Sequence, residues 1–276
     1  MKGTDALRPY YGERMLQLIL GFLFAAVIAF TAYRAHSLSR AGAWGALLEG
    51  TIIFGLGGWR WAVLLLAFFI SSSALTRTFA RRKAALNEKF DKGGQRDIGQ
   101  VLANGGIASI FAGLNFFFPQ ASWTWIAFAA SLAAVNADTW ATELGVLNPS
   151  MPRLITSWKP VERGTSGGIS VYGTLAAVGG AALIAVLAGL VRASGNFWRI
   201  AGIAILGGLL GSLFDSFLGA TVQAIYRCPQ CDKETEKHPL HTCGTETVQV
   251  RGWKWLNNDM VNVGCAVVGA IIGLVL

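Results

Sequence analysis

Long apolar stretches alternate with short polar ones along the whole chain. A helix needs about 20 mostly apolar residues to cross a bilayer. Eight stretches approach or meet that length: 15–33, 41–58, 60–76, 98–118, 123–147, 169–191, 198–225 and 257–276. The pattern predicts an all-α, polytopic transmembrane helix bundle of about eight spans, forming one integral membrane domain over residues 1–276. The second and third stretches are short and meet at Gly57-Gly58-Trp59, so a tight helical hairpin is expected there. The fifth and seventh are long and carry acids near their C-terminal ends. The eighth opens in Asn257-Asn258-Asp259. No long internal repeat is visible.

Composition narrows the class further. Of 276 residues, 53% are hydrophobic and only 14% charged, against about 25% charged in an average soluble domain. This excludes an ordinary soluble domain, a disordered chain, a collagen and a disulfide-stapled scaffold. The 34 glycines suit helices whose backbones approach closely in a membrane. No cleavable signal peptide is expected, because Tyr33, Arg34 and His36 follow the first apolar run in place of a small-residue cleavage site.

The net charge of +8 reads as topology and gives no reason to expect nucleic acid. Loops after the first, third, fifth and seventh spans hold 17 of the 23 Lys and Arg. The positive-inside rule makes these loops cytoplasmic and turns both termini outward, although Lys2, Arg8 and Arg14 pull the N-terminal tail the other way. Residues 77–97 form the most basic of these loops. They are expected to face lipid headgroups, or to supply cations to an anionic substrate.

Glu49, Asp138, Glu143, Asp215 and Asp259 lie in or at the edge of apolar spans. An Asp at the middle of a membrane costs about 2.5–3.5 kcal/mol on insertion scales, so several need a shared compensation. In 136–145, NADTWATELG, helical spacing puts Asp138, Thr142 and Gly145 on one face and Glu143 with Asn136 and Thr139 on another. Either the helix breaks, or the two acids do different jobs. Asp215 stands in a stripe of Gly208, Gly211, Ser212, Gly219 and Gln223. Asn258, Asp259 and Asn262 add oxygen groups at the start of the last span. Carboxylate and amide oxygens without nearby His or Cys favour Mg²⁺, with Asp138, Asp215, Asn258, Asp259 and Asn262 as candidate ligands.

Residues 148–168 follow the acid-bearing fifth span and contain KPVERGTSGG over 159–168. Gly164, Gly167 and Gly168 permit close backbone approach, Thr165 and Ser166 offer hydroxyls, and Lys159 and Arg163 offer charge. A helix begins directly after. These are the parts of a phosphate cradle, without the Walker spacing.

In the loop over 226–256, Cys228-Pro229-Gln230-Cys231 has a metal-knuckle spacing, with His238, His241 and Cys243 close behind. Cys228, Cys231, His241 and Cys243 are the expected structural zinc ligands, with His238 the alternate. Cys265 lies in an apolar span and reads as packing.

The stretches DTWATELG (138–145), KPV (159–161), GTSGG (164–168), DSFLGATVQ (215–223) and NNDMVN (257–262) resemble the integral membrane family that contains plant phytyl-phosphate kinase and transmembrane protein 19. The chain resembles, more distantly, phytol kinase, dolichol kinase and CDP-diacylglycerol synthase. The resemblance covers nearly the whole chain. It implies a Mg²⁺- and nucleotide-dependent enzyme acting on a prenyl lipid, with CTP the favoured donor.

On that footing Asp138, Glu143, Lys159 and Asp215 are expected to be catalytic. Asn136, Thr142, Arg163, Gly164, Thr165, Ser166, Gly167, Gly168 and Gln223 are expected to bind substrate and nucleotide. The expected activity is phosphoryl transfer to a phytyl or polyprenyl phosphate, with the site facing the cytoplasm. A cytidylyltransferase or alcohol kinase acting on a prenyl lipid is the alternative within enzymes. A transporter using the buried acids is the alternative outside them.

Overall fold

In a computed structural model of the chain, residues 8–83, 89, 94–192 and 196–276 are described. Residues 84–88 and 90–93 of the basic loop, and Lys2 in the N-terminal tail, lie outside the described residues. The protein is an all-α polytopic membrane bundle, with eight α-helices among the described residues: α1 (Arg8–Arg34), α2 (Arg40–Ile52), α3 (Trp59–Lys83), α4 (Ile98–Phe117), α5 (Ser122–Gly145), α6 (Val171–Arg192), α7 (Phe197–Thr221) and α8 (Asn258–Val275). A π-helical turn, Ile53–Gly57, extends α2. Gly58, at φ 93°, then reverses the chain into α3.

Six helices, α1, α3, α4, α6, α7 and α8, are long and apolar enough to cross a membrane. Of the other two, α2 is short. Helix α5, apolar in its first half and polar toward its C-terminal end, lies at the centre of the bundle, packed against α3, α4, α6, α7 and α8. Every residue from Thr124 to Ala137 is buried. A helix ringed by protein tolerates polar groups that a lipid-facing helix does not. The second and third spans meet through the π-helical turn, which packs on α3, while α2 itself lies on α1 and α4.

Small residues bring the helices of this core together. A Cβ on Gly208 would stand 2.7 Å from Ala181 Cβ and 3.2 Å from the Ala133 carbonyl. One on Gly269 would stand 2.6 Å from the Ala130 carbonyl. Backbone contact of this kind replaces the hydrophobic driving force that lipid removes.

Caps set the helix ends on one side of the bundle. Asp97 and Gln100 form a reciprocal capping box at α4, Ser39 caps α2, and Asn257 caps α8. Each satisfies backbone donors that the first turn leaves open.

Two small antiparallel sheets lie at this same side. The pair β1 (Arg153–Leu154) and β2 (Gly168–Ile169) closes the α5–α6 loop into a hairpin. Three strands, β3 (Ile225–Cys228), β4 (Lys233–Thr235) and β5 (Val248–Arg251), order β4-β3-β5, build the α7–α8 loop. Arg251 fastens that sheet to the end of α7, donating to the carbonyls of Ala220 (2.7 Å) and Gly219 (2.9 Å).

Candidate functional site

One cavity of about 480 Å³ opens at the loop side of the bundle, within the size range of small-molecule sites. It gathers side chains from separate stretches of sequence. Helix α5 contributes Asp138, Thr142 and Glu143. The α5–α6 loop contributes Arg163, Gly164, Thr165, Ser166, Gly167 and Gly168. Asp215 comes from α7, Gln223 from just beyond it, and Asn258 and Asn262 from α8.

Asp138 and Glu143 reach the same cavity, although an ideal helix separates their faces, because the cavity wraps around the C-terminal turns of α5. They are held differently. Ser212 Oγ on α7 donates to Asp138 Oδ1 at 3.4 Å. Thr76 Oγ1 on α3 donates to Glu143 Oε1 at 2.8 Å. Asp215 is close enough to Asp138 for their charges to act on each other, and its buried Oδ2 has no hydrogen-bond partner among the described residues.

The glycine loop is shaped by its contact with α7. Gly164 and Gly167 have φ of 79° and 83°, in the left-handed region that disfavours other residues. A side chain on Gly167 would collide with the backbone of Ala220. At this position the bare backbone seats the loop on the end of α7. Arg163 is steadied by donating to the Pro149 carbonyl at 2.8 Å.

Three expected residues are not brought to the cavity wall. Lys159 is exposed on the hairpin, where its carbonyl accepts from Leu154 N–H and Trp158, at φ 56°, turns the chain outward. Asn136 is buried and pins α5 to α6, its Nδ2 donating to the Gly180 carbonyl at 2.7 Å. Asp259 is buried in the first turn of α8 outside the lining.

The sequence does not single out the other lining residues, although Arg96 belongs to the basic loop expected to supply cations to an anionic substrate. Arg96 enters from the α3–α4 connection, its backbone clasped by Ser37 O and Ser39 N–H at 3.0 Å each. Its guanidinium lies over the rings of Phe68 (5.3 Å) and Phe69 (5.7 Å). Burial pushes its pKa down to about 10, opposed by the charge of Glu143, so it is a cation at neutral pH. Gln100 and Asn104 continue from it along α4; that i, i+4, i+8 spacing is the signal in the sequence that would have revealed a polar stripe. Glu236 enters from the α7–α8 loop. Its Oε1 accepts from Ser166 Oγ (2.7 Å) and Gln223 Nε2 (2.8 Å).

The titratable lining therefore holds four carboxylates, Asp138, Glu143, Asp215 and Glu236, against two guanidinium groups, Arg96 and Arg163. That surplus, the orphan oxygen of Asp215 and the amides of Asn258 and Asn262 fit a hard divalent cation such as Mg²⁺.

Beside the cavity, Cys228, Cys231, His241 and Cys243 present ligand atoms within 4.8 Å of one another. Three sulfurs and an imidazole at this spacing are compatible with a structural zinc site. Hydrogen bonding to Thr245 and His241 draws the Cys243 thiol down to about 5, toward the thiolate a metal needs. His238 stacks on Tyr226 at 4.4 Å instead, which resolves the alternative between the two histidines. The loop reaches the cavity through Glu236, whose N–H donates to the Lys89 carbonyl at 2.8 Å. Lys89 in turn pairs with Glu162 at 2.6 Å, so three loops lock together over the site.

Residues 23–270 match the family described as Integral membrane protein DUF92. Protein PGR of Arabidopsis thaliana is 34% identical over 268 residues, covering 89% of this chain and 91% of its own. An uncharacterized membrane protein of Methanocaldococcus jannaschii is 33% identical over 264 residues, with 96% of each chain covered. The chloroplastic protein VTE6 of Arabidopsis thaliana is 26% identical, covering 100% of this chain and 74% of its own. No solved structure matches the chain.

Proposed function

We propose, since the chain belongs to the DUF92 family of integral membrane proteins, that it is a Mg²⁺-dependent prenyl-phosphate kinase using CTP or another nucleoside triphosphate. The observation that carries this reading is the convergence of Asp138, Asp215, Asn258 and Asn262 with Arg96, Arg163 and the 164–168 loop in one cavity. Resemblance to prenyl-lipid kinases supplies the lipid and the donor.

Phosphoryl transfer is mostly positioning and charge neutralisation. An oxygen of the lipid monophosphate attacks the γ-phosphorus of the triphosphate. The bond to the β–γ bridging oxygen breaks, and the nucleoside diphosphate leaves with that oxygen. The acceptor phosphate has a second pKa of about 6, so it is largely dianionic at neutral pH and needs no general base. Two polyanions must meet, and Arg96 and Arg163 offset their repulsion. Asp138 and Asp215, with Asn258 and Asn262, would hold Mg²⁺, which supplies further neutralisation when bound. Thr76 orients Glu143 near Arg96, and Glu236 positions Ser166 and Gln223. Lys159, at the exposed rim, attracts anions without touching them. The positive-inside bias supports a cytoplasmic position for this end of the bundle, where nucleotide is available.

The test is incubation of purified protein in lipid nanodiscs with Mg²⁺, CTP or ATP, and geranylgeranyl monophosphate. Mass spectrometry should find the prenyl diphosphate and a nucleoside diphosphate. A CDP-linked lipid with pyrophosphate would establish the cytidylyltransferase instead, and no product with any donor would remove the enzyme reading.

A further inference from the structure

A second cavity, of about 290 Å³, lies between α1, α2, α3 and α4 and is lined mostly by apolar side chains. Phe24 and Ile28 of α1, Phe54 beyond α2 and Leu66 and Phe69 of α3 form much of its wall. It is not part of the site above, yet Arg96, Gln100 and Asn104 line both cavities. These three side chains are the partition between a polar chamber and an apolar one. Arg96 stands where the two meet, with its charge stacked on Phe68 and Phe69.

A polar chamber, a cation at the neck and an apolar chamber behind it match an amphiphile with an anionic head and a hydrocarbon tail. The geometry points to the α1–α4 chamber as the tail-binding site of an isoprenoid phosphate whose head lies at Arg96. This rests on the lipid-phosphate reading for the chemistry of the head.

One feature of the wall makes the assignment testable in both directions. Glu49 is 4% exposed, and the carboxyl faces Gly105 of α4 so closely that a side chain there would collide with it. Oε1 has no hydrogen-bond partner among the described residues. Arg96 and Glu49 are the charged residues of this lining. An unpartnered carboxyl beside hydrocarbon is costly. Replacing it with an apolar group should therefore improve the site for a tail, and filling the chamber should harm it.

The experiment measures binding of a photoactivatable geranylgeranyl monophosphate to the full chain in nanodiscs, without nucleotide. Ala29→Phe on α1 and Ala46→Phe on α2 should each weaken binding about tenfold. Glu49→Leu should tighten it by about threefold, and the tail label should map to α1, α3 or α4. Inorganic pyrophosphate binding should not change in any of the three. Labelling on the outer faces of α6 and α7, or unchanged affinity in all three variants, would overturn the proposal even if kinase activity is present. Tail binding as expected with no diphosphate formed would leave this site standing and remove the kinase reading alone.

Discussion

Where α5 meets α7 and α8, backbones touch at glycine and alanine, and every residue of Thr124–Ala137 is buried. Between α1, α3 and α4, large side chains such as Phe24, Phe68 and Phe69 border a chamber. The same membrane fold thus uses small residues to bring carboxylates within range of one another and large ones to leave room for a chain. In the first region position is what the packing provides, and in the second it is volume.

The largest expected effect breaks the first region chemically. Asp138→Asn and Asp215→Asn should each lower turnover by roughly a hundredfold or more, the scale of losing a charge-stabilising group. Thermal unfolding should be little changed, because neither carboxylate is needed for a backbone contact. Product formation measured by mass spectrometry checks the first statement and a melting curve the second.

The next prediction sets the two regions against each other by packing. Gly208→Val should destabilise the protein by about 1–3 kcal/mol or more, since the added atoms meet Ala181 and the Ala133 carbonyl. Ala46→Phe adds more volume but faces the apolar chamber, so its melting temperature should fall less. Unfolding of both variants in one detergent decides the matter. Equal losses would erase the distinction.

Metal removal comes third. Cys231→Ser should abolish stoichiometric zinc by elemental analysis and, with Mg²⁺ in excess, reduce turnover by about tenfold. The route is Glu236, which belongs to the metal loop and holds Ser166 and Gln223. Glu236→Gln should cost only about fivefold, since one set of hydrogen bonds is worth about 1 kcal/mol. Smallest of all, Lys159→Ala should change turnover by less than about twofold at physiological salt, because an exposed charge outside the cavity is screened. Arg96→Ala should exceed it clearly.

The spans were legible in the sequence because apolar run length is a direct demand of the bilayer. Asp138, Asp215 and the 164–168 loop were legible because acids in apolar helices and clustered glycines need a reason. The Cys/His cluster followed from Cys spacing, and the tertiary fold brings His241, not His238, to the three cysteines. The central position of α5 was not legible, since its polar C-terminal half looks the same in sequence whether lipid or protein surrounds it. Arg96 was one cation among seven in the basic loop, and its backbone bonds to Ser37 and Ser39 and its place over Phe68 and Phe69 are tertiary features that set it apart from the other six. Glu236 reaches the cavity through a sheet and a loop contact that no local pattern encodes. Lys159 had the right chemistry and neighbourhood, but the turn at Trp158 carried it outward.

The account turns on whether carboxylates from α5 and α7 grip a single divalent ion together with a triphosphate. Titration with Mn²⁺ in place of Mg²⁺, followed by electron paramagnetic resonance in the presence of CTP, reads this directly. The account predicts one nucleotide-dependent Mn²⁺ site per chain, lost in Asp138→Asn and equally in Asp215→Asn. Mn²⁺ binding that survives both substitutions, or binding indifferent to nucleotide, would contradict it.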